Sequence, residues 1–454
     1  MASARTAKPD RPAAPLEQER PNVVMVVIDD MRTSDWKALE KTRRALSGGP
    51  MFPNFILNAP LCSPSRASLM TGQYAHNHGV LWNEGDPADT GGFPAYKQHG
   101  LDRQSIAFLL QRAGYRTGMI GKFMNGYTPE SRQPLGWDRW VAAWQYLYTD
   151  YSLVIDGVET EANRGDYLTD VLAFQASRFI ESTPETQPLF LYLASTAPHN
   201  APITGTPVPA PRHASAFPGA KAERSPAFNE ADVSDKPSYV SSLPSLTPAA
   251  IAEADRFERA RLQSLLSVDE AIVRVVDSLR QTGRLGNTSI FVMSDNGFLL
   301  GEHRLSNLKA RPYDGAVRVP MLAWGREFRR KTDDRLVANI DIAPTIAELA
   351  GLNMERADGI PLQSKDKRSY VEIDLCPDDA FDFKGRGLRS KDLMYFEYAN
   401  GEREFYDLRV DPFELNNLWP TGAPAPAAPT GLAGPLQLSA SLARISNCKG
   451  SNCR

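Results

Sequence analysis

The chain has 454 residues, 42% of them hydrophobic, and a formal net charge of -3. That is enough apolar material for a large core and suggests one big domain with a smaller one. The charge balance excludes a global field that would draw nucleic acid or an anionic membrane, and no apolar run approaches the ~18 residues needed to cross a bilayer.

Met1 to Pro21 is rich in Ala, Pro and Arg and lacks the apolar centre of an export signal. Residues 1–20 are therefore read as a disordered or trimmed segment, of a cytoplasmic protein or of an exported one whose signal has been removed. Asn22 to Ile28 is a β-branched run suited to a strand buried on both faces, and it leads into Asp29-Asp30. Pro64 to Gly72 reads as a helix with Pro near its start and Gly as its stop. Gln104 to Arg112 reads as another helix, followed by a short strand, Thr117 to Ile120. Leu189 to Ser195 is strand-like, and Ala252 to Thr282 carries a helical apolar stripe. Ser289 to Met293 is a strand that runs into the turn Ser294-Asp295-Asn296-Gly297. A helix near Ala343 to Leu349 follows. This alternation predicts an α/β fold, a large mixed, mostly parallel sheet sandwiched by helices.

Residues 201–250 are rich in Pro, Ser and Ala and predict a long surface excursion, of the kind that forms lids or substrate walls. Residues 391–408 predict paired strands around Asn400-Gly401, hence a small C-terminal antiparallel sheet. The expected organisation is a catalytic domain over 21–360, a C-terminal α+β subdomain over 361–420, and a Pro/Ala linker and tail over 421–454. Of the four cysteines, Cys448 and Cys453 are placed for a short-loop disulfide, which would imply an oxidising, extracytoplasmic compartment. Cys376 reads as a structural thiol.

Asp29-Asp30 and Asp295-Asn296 each follow an apolar strand, where sites form in open α/β sheets. Three carboxylates and an amide carbonyl make an oxygen shell suited to Ca²⁺, or less well Mg²⁺, and not to Zn²⁺. Cys62 in Cys62-Ser63-Pro64-Ser65-Arg66 would sit at a helix start, where free N–H groups favour an anion. Arg66 could clamp a tetrahedral oxyanion. A Cys62 thiolate with a His partner would also fit.

The run Cys62-Ser63-Pro64-Ser65-Arg66 through Thr71-Gly72 resembles the modification motif of the sulfatase family. So do Asp29-Asp30, Gly121-Lys122, Ala197-Pro198-His199, Ser294-Asp295-Asn296-Gly297, Lys309 with Tyr313 and Val317-Arg318-Val319-Pro320, and Glu404-Phe405-Tyr406-Asp407-Leu408. The likeness spans roughly residues 20 to 420. Asn58-Ala59-Pro60-Leu61, Ala75-His76-Asn77-His78, Asn125 and Leu265-Leu266-Ser267-Val268-Asp269 make it most similar to the N-acetylglucosamine-6-sulfatase branch.

The resemblance implies an alkaline-phosphatase-like fold and hydrolysis of sulfate esters, of a sulfated sugar or glycosaminoglycan. It implies that a formylglycine-generating enzyme oxidises Cys62 to formylglycine, whose hydrate would bind the cation through one hydroxyl and attack sulfur. The second hydroxyl would release sulfate. Asp29, Asp30, Asp295, Asn296 and residue 62 would hold Ca²⁺. Arg66 and Lys122 would neutralise oxygens. His199 and Lys309 would bind sulfate and protonate the departing alcohol. Family members commonly carry a His shortly after the Gly-Lys lysine; here Asn125 occupies that region and is no base. His76 or His78 is therefore expected to serve, and His303 to contact substrate. The alternatives are a phosphonate monoester or phosphodiester hydrolase of the same superfamily, or a binding protein for sulfated glycans.

Overall fold

The run from Asn22 to Ile28 forms a strand in the interior of an eight-stranded sheet. The computed structural model describes residues 20–84, 90–162, 165–328, 332–375 and 384–454; Cys376 and residues 1–19 lie outside them. The strands are β1 (Asn22–Ile28), β2 (Arg116–Gly121), β3 (Arg139–Ala143), β4 (Ser152–Ile155), β5 (Val158–Glu161), β6 (Leu189–Ser195), β7 (Thr288–Ser294) and β8 (Met321–Trp324). Their order is β8-β7-β1-β6-β2-β3-β4-β5. The five from β7 to β3 are parallel, while β8 and β4 add on antiparallel.

Side chains alternate along β1, so its apolar residues feed two cores. Val23, Met25 and Val27 join α1 (Cys62–Thr71) and α2 (Ile106–Arg112) through Ala67, Leu69, Ile106 and Leu110. Val24, Val26 and Ile28 join α3 (Leu168–Glu181) and α4 (Pro248–Gln281) through Leu172, Phe179, Leu262 and Leu265. Each fully buried side chain of this size contributes about 1.5–3 kcal/mol, which is why a strand with no polar face is stable here. A further helix, α5 (Ile342–Leu349), belongs to the first core. This is the helix-sandwiched, mostly parallel sheet expected from the sequence.

Two helices begin earlier than their apolar pattern suggests. The α4 helix starts at Pro248, because Thr247 accepts the amide of Ala250 (3.2 Å) and Pro248 is preset for a first turn. The α1 helix starts at Cys62, with Leu61 in extended backbone accepting the amide of Ser65 (3.0 Å). It stops at Gly72, whose φ of 69° suits a residue without a side chain.

The second sheet holds β9 (Val371–Leu375), β10 (Gly385–Arg389), β11 (Leu393–Tyr398) and β12 (Arg403–Asp407), all antiparallel in that order. Residues 421–454, expected as linker and tail, contain helix α6 (Pro435–Ile445). Its Leu438, Leu442 and Ile445 share a core with Val371, Leu388, Tyr395 and Phe405 of that sheet. The amphipathic spacing of 438, 442 and 445 was masked by the Pro/Ala run before it. Cys448 and Cys453 are disulfide-bonded.

The 201–250 excursion is fastened between residues 227 and 243 to the segment around Gly301 to Arg304. Asn229 donates its amide to the Gly301 carbonyl (2.7 Å), His303 donates its own to Ala227 (2.8 Å), and Arg304 donates to the carbonyls of Glu230, Ala231 and Leu243. Among the described residues no helix is long and apolar enough to cross a membrane.

Candidate active site

Strands β1 and β7 are hydrogen-bonded neighbours, so their C-terminal ends deliver Asp29-Asp30 and Asp295-Asn296 to one place. The backbone of Asp30 turns through a left-handed φ of 64°. Its amide donates to Asp295 Oδ1 (3.1 Å), and the next amide, of Met31, donates to Ser294 Oγ (2.8 Å). Carboxylate oxygens of Asp29, Asp30 and Asp295 lie within 4.8 Å of one another, and all three residues are buried. Asp30 Oδ2 and Asn296 Oδ1 are buried with no hydrogen-bond partner. Two orphaned oxygens beside three crowded carboxylates fit a hard divalent cation, which these four side chains could hold.

Three cations face the acids. Lys122 follows β2 and donates to Asp29 Oδ2 (2.5 Å). It is brought there because Gly121, at φ 115°, lets β2 approach β6 closely: a side chain at 121 would strike the Ala194 carbonyl oxygen. Arg66, one turn into α1, donates through Nε to Asp295 Oδ2 (2.8 Å) and through Nη1 to the Lys122 carbonyl (2.6 Å). Its Nη2 lies 3.8 Å from Asp29 and has no hydrogen-bond partner. Lys309 donates to Asp30 Oδ1 (2.5 Å) and to Cys62 Sγ (3.0 Å).

Burial alone would raise the carboxyls, but Lys122, then His199, hold Asp29 below its ordinary range, and Lys309 with His199 holds Asp30 at about 2. Burial pushes the Cys62 thiol up to about 11, with Asp29 adding to the rise. Burial opposes the charge of Lys122 and Lys309, yet Asp29 and Asp30 respectively raise both above the ordinary lysine value.

Cys62 is the first residue of α1 and is wholly buried, with Sγ 3.6 Å from Asp29 Oδ1. His199 follows β6 beyond the cis Ala197-Pro198 bond. Its Nδ1 donates to the Asn200 carbonyl (2.8 Å), which leaves Nε2 as a lone pair 3.9 Å from Asp30 Oδ2. Burial lowers its pKa below the ordinary imidazole value, against the pull of Asp29 and Asp30. The side chains of His199 and Lys309, 18% and 15% exposed, form the open rim of an otherwise sealed cluster.

Four expected contributors lie elsewhere. His76 points to the small antiparallel sheet and the chain end, with Nδ1 2.8 Å from Glu372 Oε2 and Nε2 3.3 Å from the Cys448 carbonyl. His78 is buried between Ser68 Oγ (2.9 Å) and the Val80 amide (3.0 Å). The turn after Gly72 carries both away from Cys62, so the expectation that either serves as a base there is corrected. His303 is closed off by Glu230 (2.6 Å) and the ring of Tyr313. Asn125 reaches the neighbour of the nucleophile and not Cys62 itself: its side chain accepts from Ser63 Oγ (3.3 Å), and its amide donates to that oxygen. Of six histidines, His199 alone meets the cluster.

Three participants carried no signal in the sequence. Tyr146 lies under Lys122 (4.7 Å from Nζ to the ring centre) and stacks on His199. Asn83 accepts the Ser63 amide (2.8 Å) at the start of α1. Arg261, midway along α4, donates to the Asp30 carbonyl. Each is a single residue in a loop or a long helix, and no motif surrounds it.

The sequence matches the family model described as sulfatase over residues 21–352. It is 31% identical to the N-acetylglucosamine-6-sulfatase of Capra hircus, over 96% of this chain and 85% of that one. It is 29% identical to an arylsulfatase of Volvox carteri, over 96% and 76%. The fold superposes on a solved structure of a protein in complex with its substrate D-glucosamine-2-N,6-O-disulfate, with a TM-score of 0.72, 24% identity, and coverage of 88% of this chain and 93% of that one.

Proposed function

This chain belongs to the sulfatase family and is a sulfuric ester hydrolase; from that premise we propose that it cleaves a 6-O-sulfated glucosamine-type sugar, using Ca²⁺ and a formylglycine made from Cys62. The observation that carries the reading is the meeting of Cys62 with three carboxylates and three cations in one buried cluster. Asp29, Asp30 and Asp295 are balanced by Arg66, Lys122 and Lys309. A divalent cation would therefore leave excess positive charge, which favours an anionic sulfate ester. When bound, that cation polarises the oxygens it touches and lowers the pKa of a hydroxyl.

The side chains divide the remaining work by charge state. Arg66 Nη2 and Lys122 offer donors to sulfate oxygens. Lys309 is an ammonium at the rim and can donate a proton to the departing alcohol oxygen. His199, whose Nδ1 is committed to the Asn200 carbonyl, can accept one at Nε2 when its ring is neutral. The sulfated-glucosamine preference is supported by the substrate in the superposed structure and by the name of the Capra hircus relative.

The test is to produce the protein together with a formylglycine-generating enzyme and weigh the peptide bearing position 62. Turnover is then compared across 6-O-sulfated glucosamine, an aryl sulfate, and the phosphate and sulfate esters of one phenol. An aldehyde at 62 with the sulfated sugar preferred is the expected result. Thiol at 62 in fully active protein, or a preference for the phosphate ester, would overturn the proposal.

A further inference from the structure

Cys62 Sγ, a carboxylate oxygen of Asp29 and a ring nitrogen of His199 lie within 4.8 Å of one another. This donor set differs in kind from the oxygen shell of Asp29, Asp30, Asp295 and Asn296, although it shares Asp29 with it. Sulfur, imidazole and one carboxylate suit a thiophilic ion, whereas carboxylates and amide oxygens suit Ca²⁺. The spacing agrees with that chemistry. Tetrahedral zinc, with a bond of about 2.3 Å to sulfur and about 2.0 Å to oxygen, sets those ligands about 3.5 Å apart. Cys62 Sγ and Asp29 Oδ1 stand 3.6 Å apart.

The imidazole is also prepared. His199 Nδ1 is committed to the Asn200 carbonyl (2.8 Å), which fixes the tautomer with Nε2 as a lone pair; a main-chain carbonyl of this kind commonly supports a metal-binding histidine. A fourth donor lies within reach in Asp30 Oδ2, which is buried, unpartnered and 3.9 Å from His199 Nε2.

We propose that the folded chain whose Cys62 has not been oxidised binds a thiophilic divalent ion such as Zn²⁺ or Cd²⁺ through Cys62, His199 and Asp29. On binding, the Cys62 thiol gives its proton to solvent and the sulfur–metal bond forms. The Lys309 ammonium, now 3.0 Å from Sγ, swings toward the rim on its flexible stem. Oxidation at position 62 removes the sulfur and leaves the cavity only oxygen and nitrogen donors. One side-chain conversion would thus move the site from soft to hard ions, and unconverted protein would be held by the wrong metal. The inference stands on the geometry of the Cys62 form, whatever ester the converted enzyme cleaves.

The test uses full-length protein made without a formylglycine-generating enzyme, freed of metal and titrated with Cd²⁺. A thiolate-to-cadmium charge-transfer band saturating at one ion per chain is expected, and Zn²⁺ should abolish it by competition. The band should be absent in Cys62→Ser, which keeps Cys376, and His199→Gln should weaken Cd²⁺ binding at least about tenfold. Should the variants fail to fold, X-ray absorption of the Zn²⁺-loaded wild-type chain decides, with one sulfur neighbour expected at about 2.3 Å. A band that persists in Cys62→Ser, or a zinc shell without sulfur, would overturn the proposal. Ca²⁺ titration of Cys62→Ser, which keeps Asp29, Asp30, Asp295 and Asn296, reports on the oxygen shell without the sulfur.

Discussion

The guanidinium of Arg261 donates to the main-chain carbonyl of Asp30 at 2.5 Å. The same group pairs with Asp35 (2.7 Å) and lies over the ring of Phe298, two residues past Asn296. One fully buried side chain from α4 therefore braces both loops that carry the candidate metal ligands, and it holds Asp30 where a non-glycine residue has a left-handed φ.

Replacing that brace should be costly in two ways. Arg261→Met leaves the buried Asp35 carboxylate without its partner, and breaking such a pair costs about 3–5 kcal/mol. Ca²⁺ affinity should fall with it, because Asp30 loses its anchor. Denaturant unfolding and calorimetric Ca²⁺ titration measure the two effects; unchanged Ca²⁺ affinity in a folded variant would contradict the bracing role.

Cys62→Ala should abolish sulfate-ester turnover while leaving a folded chain, because the side chain lost is small. Residual activity is expected below ~1% of wild type, measured on enzyme produced with the maturing enzyme. The thermal midpoint should drop modestly, by the loss of one buried sulfur.

Metal removal should stop turnover reversibly. A chelator followed by Ca²⁺ should restore activity in wild type. Asp295→Ala, which also strips Arg66 of its 2.8 Å partner, should not recover at the same Ca²⁺ concentration. Full activity after verified metal removal would rule the oxygen shell out as a metal site.

The histidines should separate by position. His199→Ala is expected to lose about 10²–10⁴-fold in turnover, the usual weight of a proton-transfer group. His76→Ala should stay within about threefold of wild type while lowering stability, because it unhooks Glu372 and the Cys448 carbonyl. Steady-state kinetics beside a thermal melt distinguishes the two.

Burial pushes His78 down to about 3, against ~6.5 in an unfolded chain. Below about pH 6.5 the unfolded chain binds a proton that the folded chain refuses until near pH 3. The contribution of this group is therefore full above about pH 6.5 and is lost as the pH falls through that window, by about 1.4 kcal/mol per unit. His78→Gln can still bond Ser68 and Val80 but does not titrate. Its urea midpoint should fall less than that of wild type between about pH 6.5 and about pH 5.

The sequence by itself determined the elements that obey local rules. The two strands that lead into Asp29-Asp30 and Asp295-Asn296, the helix stopped by Gly72 and the hairpin at Asn400-Gly401 were legible from period, capping and turn chemistry. The resemblance carried by the Cys62 run and by the other motifs singled out residues that the fold brings together: Asp29, Asp30, Cys62, Arg66, Lys122, His199, Asp295, Asn296 and Lys309. Tertiary structure alone decided that His76 and His78 face away from the cluster. His76 and His78 are nearer to Cys62 in sequence than His199 is, but past the turn at Gly72 His76 meets Glu372 of the C-terminal sheet and His78 is buried against Ser68, whereas β6 runs parallel to β1 and delivers His199 beside Asp30. It also decided that Arg261 braces Asp30 and that the chain end packs as a helix. Those roles depend on which surfaces meet across hundreds of residues, and local periodicity carries no record of that.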